Sequence, residues 1–491
     1  MQPPIRARGP RHDHGAGTVE YVGITLGAVA IVLAVIMAAG GAGVGPSLGQ
    51  TLVCKLTGAV SSLTGGDVPD CTMGDPADGT STAAVTVTTP PSDSNSAVVV
   101  HVDAPPGVTW WLDTSDPYAT PYVTPTAAGP GDATIWFPAN PGQARTTQVT
   151  VHLSDGTTKT ISVTQPGGVQ NLVAVGDSYM AGPGAEVDHP ETPFTVPLDN
   201  SPNAEDCWRA PDAYPRLLGS GSIAGSSGVT PTLSVSTNGF AACNGATVTG
   251  GDGRGGLQRQ LKDLSDQGEL DDADIMLLSI GGNDIGFADV VKAMIADIDS
   301  GPLRGKLWSN AEGAVNDARG KIAGADAAEL GLPVAKQSDW LAPKLDEAYR
   351  QALDATQDAG TTIYVIGYPP VVAADDPQYT VGMVPHNEEV PMAARLIDEL
   401  NSKIQERVDA ANAAEVAAGR PPRMVYVSLT EPDSPFVGHG ITTDDPYFVT
   451  VSQSIPNAPF PKTPFTGAYH PNDNGTHAQG EVVVDYLLGD R

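Results

Sequence analysis

The sequence is poor in positive charge, in aromatic residues and in cysteine, and each shortage narrows what the protein can be. Lys and Arg number 26 against 57 Asp and Glu, a formal net charge of −31, which argues against a nucleic-acid partner and for a soluble, self-repelling surface. Aromatic residues make up 5% of the chain, whereas glycine occurs 56 times and proline 43 times, so loops are expected to be plentiful. A chain of 491 residues is too long for one ordinary core, and roughly two or three folded units are predicted.

The few cysteines indicate a compartment. Cys54, Cys71, Cys207 and Cys243 fall as two sequential pairs. Neither pair has the Cys-x-x-Cys spacing of a zinc site, so two disulfides in an oxidising compartment are the better interpretation. The histidines outside the motifs described below show no ligand spacing among carboxylates either, and neither a metal nor a cofactor is predicted.

Charge is also missing from a long stretch near the amino terminus, where no charged residue lies between Tyr21 and Cys54. The apolar core at 21–39 is close to the ~20 residues that span a bilayer, and an arginine-containing segment precedes it. We therefore predict a cytoplasmic basic start with a transmembrane or signal segment over 1–46, and an extracytoplasmic location for the rest of the chain. A cleaved secretory signal is the alternative.

Two different textures follow this segment. Residues 47–80 are rich in Gly, Ser, Thr and Pro and predict a stalk tied by a disulfide between its two cysteines. Residues 81–166 contain short runs of alternating apolar and polar residues with turns between them, which is typical of a β-sandwich. Trp110 and Trp111 allow two interpretations: a stacking face for glycans, or one buried tryptophan beside one exposed, which we favour.

Buried-strand patterns alternate with helical patterns over the last part of the chain, residues 168–491. Continuous apolar runs, typical of strands buried on both faces, lie at 172–175, 275–280, 362–366 and 424–427. Apolar residues at three- and four-residue spacing predict helices that include 341–358 and 391–415. The alternation predicts the α/β class, with a doubly wound parallel sheet flanked by helices.

Four short motifs in this region carry residues with catalytic chemistry. They are Gly176-Asp177-Ser178, Cys243-Asn244-Gly245-Ala246, Gly281-Gly282-Asn283-Asp284 and His470-Pro471-Asn472. Since the ends of parallel strands meet at one edge of a sheet, a serine, a backbone amide beside a glycine, an asparagine side chain and a histidine are expected to converge there. Chemically these are a nucleophile, two oxyanion donors and a general base.

In this order the motifs resemble the four blocks of the SGNH/GDSL hydrolases, and the resemblance covers residues 171–491. It implies the SGNH hydrolase fold and esterase or lipase activity. It also implies that Ser178 is the nucleophile and His470 the base. The oxyanion hole would consist of the Ser178 amide, the Gly245 amide and the Asn283 side chain.

Other segments carry resemblances of their own. Cys207-Trp208-Arg209 with the later Cys243 looks like the secreted actinobacterial esterase and lipase branch, in which these two cysteines pair. The heptapeptide that starts at Gly15 and ends at Tyr21 resembles the prepilin-type signal of Flp and TadE-like pilin proteins, with a simple signal anchor as the alternative. Residues 139–165 resemble BACON-type immunoglobulin-like modules, which are often suspected of binding glycans.

The chain departs from the SGNH/GDSL pattern three residues before the histidine, where many members carry aspartate and this chain has Gly467. A Ser-His-Asp triad of that form is excluded because glycine has no carboxylate. A backbone carbonyl near Gly467 is the favoured partner of the imidazole N–H, with Asp444 or Asp445 as the alternative. His477 is a rival for the base, but it falls inside the predicted last helix.

The sequence thus predicts an extracytoplasmic serine esterase or lipase, membrane-anchored or secreted, with an immunoglobulin-like spacer. The expected partners are an ester substrate (a lipid, an acylated glycan or a small ester), the membrane through the N-terminal helix, and a glycan at the β-sandwich. A surface adhesin or pilus-associated binding protein with a vestigial hydrolase domain is the alternative. The intact set of four motifs favours the enzyme.

Overall fold

A computed structural model describes most of the chain after position 82. The described residues are 83–116, 118–124, 128–185, 207–250, 255–287, 289–290, 304–372, 389–441, 443–450 and 467–491. The predicted membrane or signal segment, the prepilin-like motif, the stalk and the Cys54–Cys71 pair lie outside them. In the part of the chain that is described, no helix has the length and apolar character needed to cross a membrane.

Two antiparallel sheets occupy residues 84–165. Their strands are β1 (Ala84–Thr89), β2 (Ser96–Asp103), β3 (Trp110–Thr114), β4 (Thr120–Val123), β5 (Gly131–Phe137), β6 (Arg145–Leu153) and β7 (Thr158–Gln165). One sheet has the order β1-β2-β5-β4 and the other β3-β6-β7. Val100, Ile135 and Val151, from both sheets, are fully buried in one shared core. Each sheet therefore covers the apolar face of the other, which is the predicted sandwich arrangement; its immunoglobulin-like character stays a prediction.

The two adjacent tryptophans point to opposite faces of β3, as successive residues of a strand do. Trp110 is buried, and its indole Nε1 donates a hydrogen bond to the carbonyl of Gly129 at 3.0 Å. Trp111 is partly exposed and stacks on the ring of His152, with centroids 5.2 Å apart and planes 9° apart. Of the favoured interpretation, one buried tryptophan beside one exposed, the buried Trp110 is confirmed, and Trp111 is partly exposed on the opposite face.

A five-stranded sheet forms the centre of the remaining chain. Its strands are β8 (Gln170–Gly176), β9 (Leu233–Ser234), β10 (Ile275–Ser279), β11 (Thr362–Ile366) and β12 (Met424–Val427). The order is β12-β11-β10-β8-β9, and every neighbouring pair is parallel. The chain runs from β8 to the edge strand β9 and then returns to the other side of β8, so the topological switch point lies between β8 and β10. Open α/β sheets place their ligands at such a point.

Helices cover both faces of this sheet, which explains the continuous apolar runs. The helices are α1 (Ser178–Ala181), α2 (Tyr214–Gly219), α3 (Leu257–Asp266), α4 (Gly282–Ile285), α5 (Arg304–Ala323), α6 (Leu341–Ala355), α7 (Glu389–Ala417) and α8 (Asp473–Leu488), with 3₁₀ turns at Gly324–Ala328 and Gln337–Asp339. In β8, Val173 and Val175 face a core that includes residues of α3, α5, α6 and α7, whereas Leu172 and Ala174 face one that includes residues of α2 and α8. The predicted mixed α/β fold with a parallel sheet is confirmed, and α6 and α7 match the predicted helices to within a few residues.

The β-sandwich contacts the parallel sheet where its strands begin. The Nδ2 group of Asn95 donates to the carbonyl of Asp274, just before β10, at 2.6 Å. The hydroxyl of Thr362, the first residue of β11, donates to Oδ1 of Asn95 at 2.6 Å. In the first residue of β8, Nε2 of Gln170 donates to the carbonyl of Asp93 at 3.2 Å. Because parallel strands all begin at the same edge, the sandwich lies at the edge opposite to the loops that follow the strands.

Candidate active site

Ser178 is the first residue of α1 and follows directly after β8, at the switch point. It is 6% exposed. The preceding Gly176 has φ +150°, and a Cβ there would lie 2.3 Å from the carbonyl oxygen of Ser279 in β10, so this position requires glycine. Asp177 caps α1, since its Oδ1 accepts from the amide of Tyr179 at 3.0 Å. The bend at Gly176 and the cap at Asp177 together place the serine past the carboxyl end of the strand.

The loop that carries Gly245 is bonded directly to the end of β8. The amide of Cys243 donates to the carbonyl of Gly176 at 2.9 Å. The amide of Ala246 donates to the carbonyl of Cys243 at 3.0 Å, which closes a turn in which Gly245 has φ +77°. A left-handed conformation of this kind favours glycine. The structure therefore places the Gly245 turn beside the backbone that leads into Ser178.

A buried disulfide links this loop to the segment that begins at Cys207. Cys207 and Cys243 are bonded, with Cα atoms 4.2 Å apart and a sequence separation of 36, so the predicted pairing is confirmed. The amide of Asn244 donates to the carbonyl of Cys207 at 2.9 Å, and the amide of Ala210 donates to the carbonyl of Ala181 in α1 at 2.9 Å. A bridge that closes a loop of this length contributes roughly 3–4 kcal/mol to stability by the loop-entropy model. The bridge thus ties α1 and the Gly245 turn to one segment.

Asn283 is the second residue of α4, which begins after β10. Its Nδ2 donates to the carbonyl of Ala246 at 3.0 Å, the residue next to Gly245. A carboxamide carries two N–H groups. One is used to hold the Gly245 turn, so one N–H of the predicted oxyanion donor has a hydrogen-bond partner within this cluster. The structure therefore brings the two predicted oxyanion donors into the same cluster.

His470 lies beside α1, where the chain enters α8. Its imidazole ring is 5.2 Å from the ring of Tyr179, and the Tyr179 hydroxyl donates to the carbonyl of Tyr469 at 3.0 Å. Tyr469 has φ +65°, a left-handed conformation that few non-glycine residues adopt. Its amide donates to the carbonyl of Val449 at 2.9 Å. These bonds hold the turn that carries the histidine against the helix that carries the serine.

The orienting partner of the imidazole is a backbone carbonyl. His470 Nδ1 lies 3.1 Å from the carbonyl oxygen of Ala468. Because a carbonyl only accepts, we assign the ring hydrogen to Nδ1, which leaves Nε2 as the proton acceptor. Burial lowers the pKa of His470 to about 4, although the carbonyls of Ala468 and Gly467 oppose this shift. The ring is therefore neutral at neutral pH, the form that a general base needs.

The alternative acids and the rival base lie elsewhere. Asp444 and Asp445 are exposed. The carbonyl of Asp445 lies 2.8 Å, and its carboxylate 3.4 Å, from Nδ1 of a different histidine, His439. His477 is an exposed residue within α8. Asn472 is the N-cap of α8, with Oδ1 accepting from the amide of Gly475 at 3.0 Å.

Two buried residues that the sequence analysis missed hold the loops together. Gln260 of α3 accepts from the amide of Gly176 at 2.7 Å and donates to its carbonyl at 2.8 Å. The hydroxyl of Tyr368 donates to Oδ2 of Asp177 at 2.5 Å and accepts from the amide of Gly282 at 2.8 Å. A signal existed for the glutamine, because it occupies the apolar stripe of α3, where a polar side chain needs a partner.

Two carboxyl groups, those of Asp177 and Asp284, are buried in the segments that follow β8 and β10. Burial raises the pKa of Asp177 to about 7; the hydrogen bonds from Tyr368 and from the amide of Tyr179 oppose the rise, and nearby Asp284 adds to it. Burial also raises the pKa of Asp284, against the effect of Lys344, whose Nζ lies 3.3 Å from its Oδ1. Across the described residues, no group of three or more His, Cys, Asp or Glu side chains is arranged to hold a metal ion. Hydrogen bonds from the Tyr368 hydroxyl and the Tyr179 amide hold Asp177 at the start of α1.

Comparison with known proteins gives one family and several distant structures. The model of a GDSL-like lipase/acylhydrolase family matches residues 174–478, more than half of the chain. No curated protein matches this chain at a significant level.

The similar solved structures include three hydrolases. An alpha/beta hydrolase enzyme from the metagenome of Lake Arreo, Spain, is 13% identical over 65% of this chain and 96% of its own, with a TM-score of 0.29. A carbohydrate acetylesterase from Xanthomonas citri is 10% identical over 82% and 74%, with a TM-score of 0.26. An acetyl xylan esterase from the rumen bacterium Butyrivibrio proteoclasticus is 10% identical over 84% and 96%, with a TM-score of 0.28. Likenesses this distant say nothing about the substrate of this chain. Its family follows from the match over residues 174–478.

Proposed function

The chain belongs to the GDSL-like lipase/acylhydrolase family, and from this we propose that it is an extracytoplasmic serine esterase or lipase that works through an acyl-enzyme intermediate. That it is a hydrolase acting on ester bonds follows from the family. The observation that carries the finer proposal is the set of contacts that joins the loops of Ser178, Gly245, Asn283 and His470. The amide of Cys243 donates a hydrogen bond to the carbonyl of Gly176, and the side chain of Asn283 donates one to the carbonyl of Ala246. The ring of Tyr179 lies against that of His470.

In the first half of the reaction, Nε2 of His470 accepts the proton of the Ser178 hydroxyl while the serine oxygen attacks the ester carbonyl carbon. The carbonyl oxygen becomes an oxyanion, and the amides of Ser178 and Gly245 with the side chain of Asn283 donate to it. The tetrahedral intermediate then collapses. The alcohol leaves with the proton carried by His470, and the acyl group remains on Ser178.

In the second half, water attacks the acyl-enzyme and gives a proton to His470. The same donors hold the second oxyanion, and collapse releases the carboxylic acid and restores the Ser178 hydroxyl. Nδ1 of His470 keeps its bond to the Ala468 carbonyl throughout, so the ring is oriented by a partial rather than a full negative charge. In this proposal Ser178 and His470 work as a dyad.

The proposed location is the extracytoplasmic side of the envelope, with the chain anchored by its N-terminal helix or secreted after processing. The Cys207–Cys243 disulfide supports this, since disulfides persist in oxidising compartments. The uncharged stretch behind a basic start supports it independently. In this reading the sandwich is a spacer, and its outer face, with Trp111 on His152, is the surface on which we propose glycan contact.

The test of the proposed function is the full-length Ser178→Ala variant assayed against a panel of acyl esters of increasing chain length. We expect activity to fall by roughly 10⁴-fold or more, as loss of the nucleophile does in serine hydrolases. A fluorophosphonate probe should label the wild-type chain once and the variant not at all. Ser162→Ala, which removes an exposed hydroxyl on the sandwich, is the matched control and should leave activity and labelling unchanged.

Two outcomes would contradict the proposal. Labelling or hydrolysis that persists in Ser178→Ala would assign the chemistry to another residue. A folded wild-type chain that neither hydrolyses any ester of the panel nor reacts with the probe would support the vestigial hydrolase of an adhesin.

A further inference from the structure

Tyr368 lies two residues beyond the end of β11 and joins loops that follow two other strands. Its side chain is buried, with 3% of the residue exposed. Its hydroxyl donates to Oδ2 of Asp177 and accepts from the amide of Gly282, at 2.5 and 2.8 Å. A phenolic hydroxyl can serve as donor and acceptor at once, so both bonds form together.

Each partner of this hydroxyl is the sequence neighbour of a proposed catalytic group. Asp177 precedes Ser178 and caps α1. Gly282 precedes Asn283 and is the first residue of α4. The hydroxyl therefore spans from the start of the nucleophile helix to the start of the oxyanion helix, across the switch point between β8 and β10.

The tyrosine itself is held from both sides. The side chain of Asn401 in α7 accepts from the amide of Tyr368 and donates to its carbonyl, both at 2.8 Å. The phenol ring packs edge-on against Tyr179, with centroids 5.2 Å apart and planes at 81°. A Cβ on Gly282 would lie 2.9 Å from Cζ of Tyr368, so α4 approaches the ring as closely as glycine allows. These contacts fix the position of the ring and, with it, that of the hydroxyl.

We propose that Tyr368 is a positioning residue that sets the distance between the Ser178 nucleophile and the Asn283 oxyanion donor. The role rests on the proposed function, because it concerns the spacing of that site's own groups. A donor stabilises an oxyanion only from hydrogen-bonding distance of the place where the charge develops. Misplacement of a catalytic group by about 1 Å can lower a rate by about 10²-fold.

Tyr368→Phe removes the hydroxyl and keeps the ring. We expect kcat to fall about 10- to 100-fold with KM changed by less than about threefold, since the lost geometry matters in the transition state more than in substrate binding. Rates are expressed per active site titrated with a fluorophosphonate. A merely structural role would lower the titrated fraction and leave the rate per titrated site unchanged.

Tyr349→Phe is the matched control. Tyr349 is a fully buried tyrosine of α6 whose hydroxyl has no hydrogen-bond partner among the described residues. This variant loses the same atom from a buried ring but breaks no hydrogen bond among the described residues, so we expect kcat per titrated site to equal that of the wild type. A comparable fall in both variants would overturn the positioning role.

A wild-type kcat per titrated site in folded Tyr368→Phe would also overturn the role. If that variant does not fold, Asn401→Ala provides the test. It removes the two hydrogen bonds that fix the backbone of Tyr368 while the ring keeps its hydroxyl group. It too should lower kcat with little change in KM, and an unchanged kcat would overturn the proposal. Ser178→Ala assayed in parallel separates the two claims, since activity retained there contradicts the nucleophile itself, whatever Tyr368 does.

Discussion

The β-sandwich and the parallel-sheet part of the described chain use β-structure in opposite ways. In the sandwich, strands such as β6 alternate buried and more exposed residues, because each sheet has one covered face. In the parallel sheet, all residues of β10 and β11 are buried, because helices cover both faces. A strand of the first kind offers every second side chain to solvent. A strand of the second kind offers none, so chemistry must come from the loops at its ends.

The histidines of the two halves show the same contrast. In the sandwich, His101 lies 2.7 Å from a carboxylate oxygen of Asp132 and His152 lies 3.0 Å from one of Asp113, with each aspartate well exposed. In the hydrolase half, His470 lies against the carbonyl of Ala468 inside the site. A histidine at the surface tolerates a charged partner, whereas the buried one is kept neutral by its surroundings. This contrast supports the proposed site at the edge of the parallel sheet that the sandwich does not contact.

After Ser178→Ala, the largest effect should come from removing the proposed oxyanion donor Asn283. Asn283→Ala removes the amide that we propose as an oxyanion donor, together with its hydrogen bond to the Ala246 carbonyl. We expect kcat to fall about 10²- to 10³-fold, the usual loss when one oxyanion donor is removed. Steady-state kinetics with a soluble ester would show it, and Asn95→Ala in the sandwich is the asparagine control. A fall of less than about tenfold would exclude Asn283 as a donor.

A smaller effect concerns the pH at which His470 loses function. Because the base must be neutral, activity is lost as pH falls through its pKa, and burial lowers that pKa to about 4. Between pH 7 and pH 5.5 we therefore expect kcat/KM to fall by less than about twofold, whereas an unperturbed histidine, at about 6.5, would give a fall of about tenfold. The pH–rate profile of the wild type is the measurement.

Asp445→Asn sharpens this result, because it removes a carboxylate that lies near His439 instead of His470. The acid limb should stay where it is, and kcat should change by about tenfold or less. A loss of about 10⁴-fold, as when a true triad aspartate becomes asparagine, would identify Asp445 as the missing acid and refute the dyad.

The smallest effect on activity should come from weakening the contact between the β-sandwich and the start of the parallel strands. Asn95→Ala removes side-chain bonds to the carbonyl of Asp274, the hydroxyl of Thr362 and the amide of Ala139. Loss of these partly buried hydrogen bonds should cost about 1 kcal/mol or more, so the melting temperature should drop while kcat stays within about twofold of the wild type. Ser162→Ala on the outer face should change neither. A kcat that falls with the melting temperature would mean that the sandwich acts on the catalytic edge as well.

Much of this architecture was predictable because it is encoded locally. The apolar run at 172–175 is typical of a buried strand, and the Gly-Asp-Ser bend after it needed no distant partner to be recognised. The order of the four motifs predicted the candidate residues, and the pairing of Cys207 with Cys243 followed from the resemblance. The strand and the bend depend on periodicity and turn residues that lie within a few positions of each other. Each motif is equally short, and their order along the chain needs no knowledge of distances in space.

The remaining features were decided only by the tertiary structure. The carbonyl that orients His470 belongs to Ala468. The direction of a carbonyl depends on backbone angles, which the side chains of that segment do not predict. Gln260 bonds Gly176 across 84 positions and Tyr368 bonds Asp177 across 191. Nothing near either residue in the sequence indicates its partner. Local patterns determine which strands and loops form, whereas a hydrogen bond between distant loops depends on distances of a few ångströms that exist only once the sheet has brought those loops to one edge.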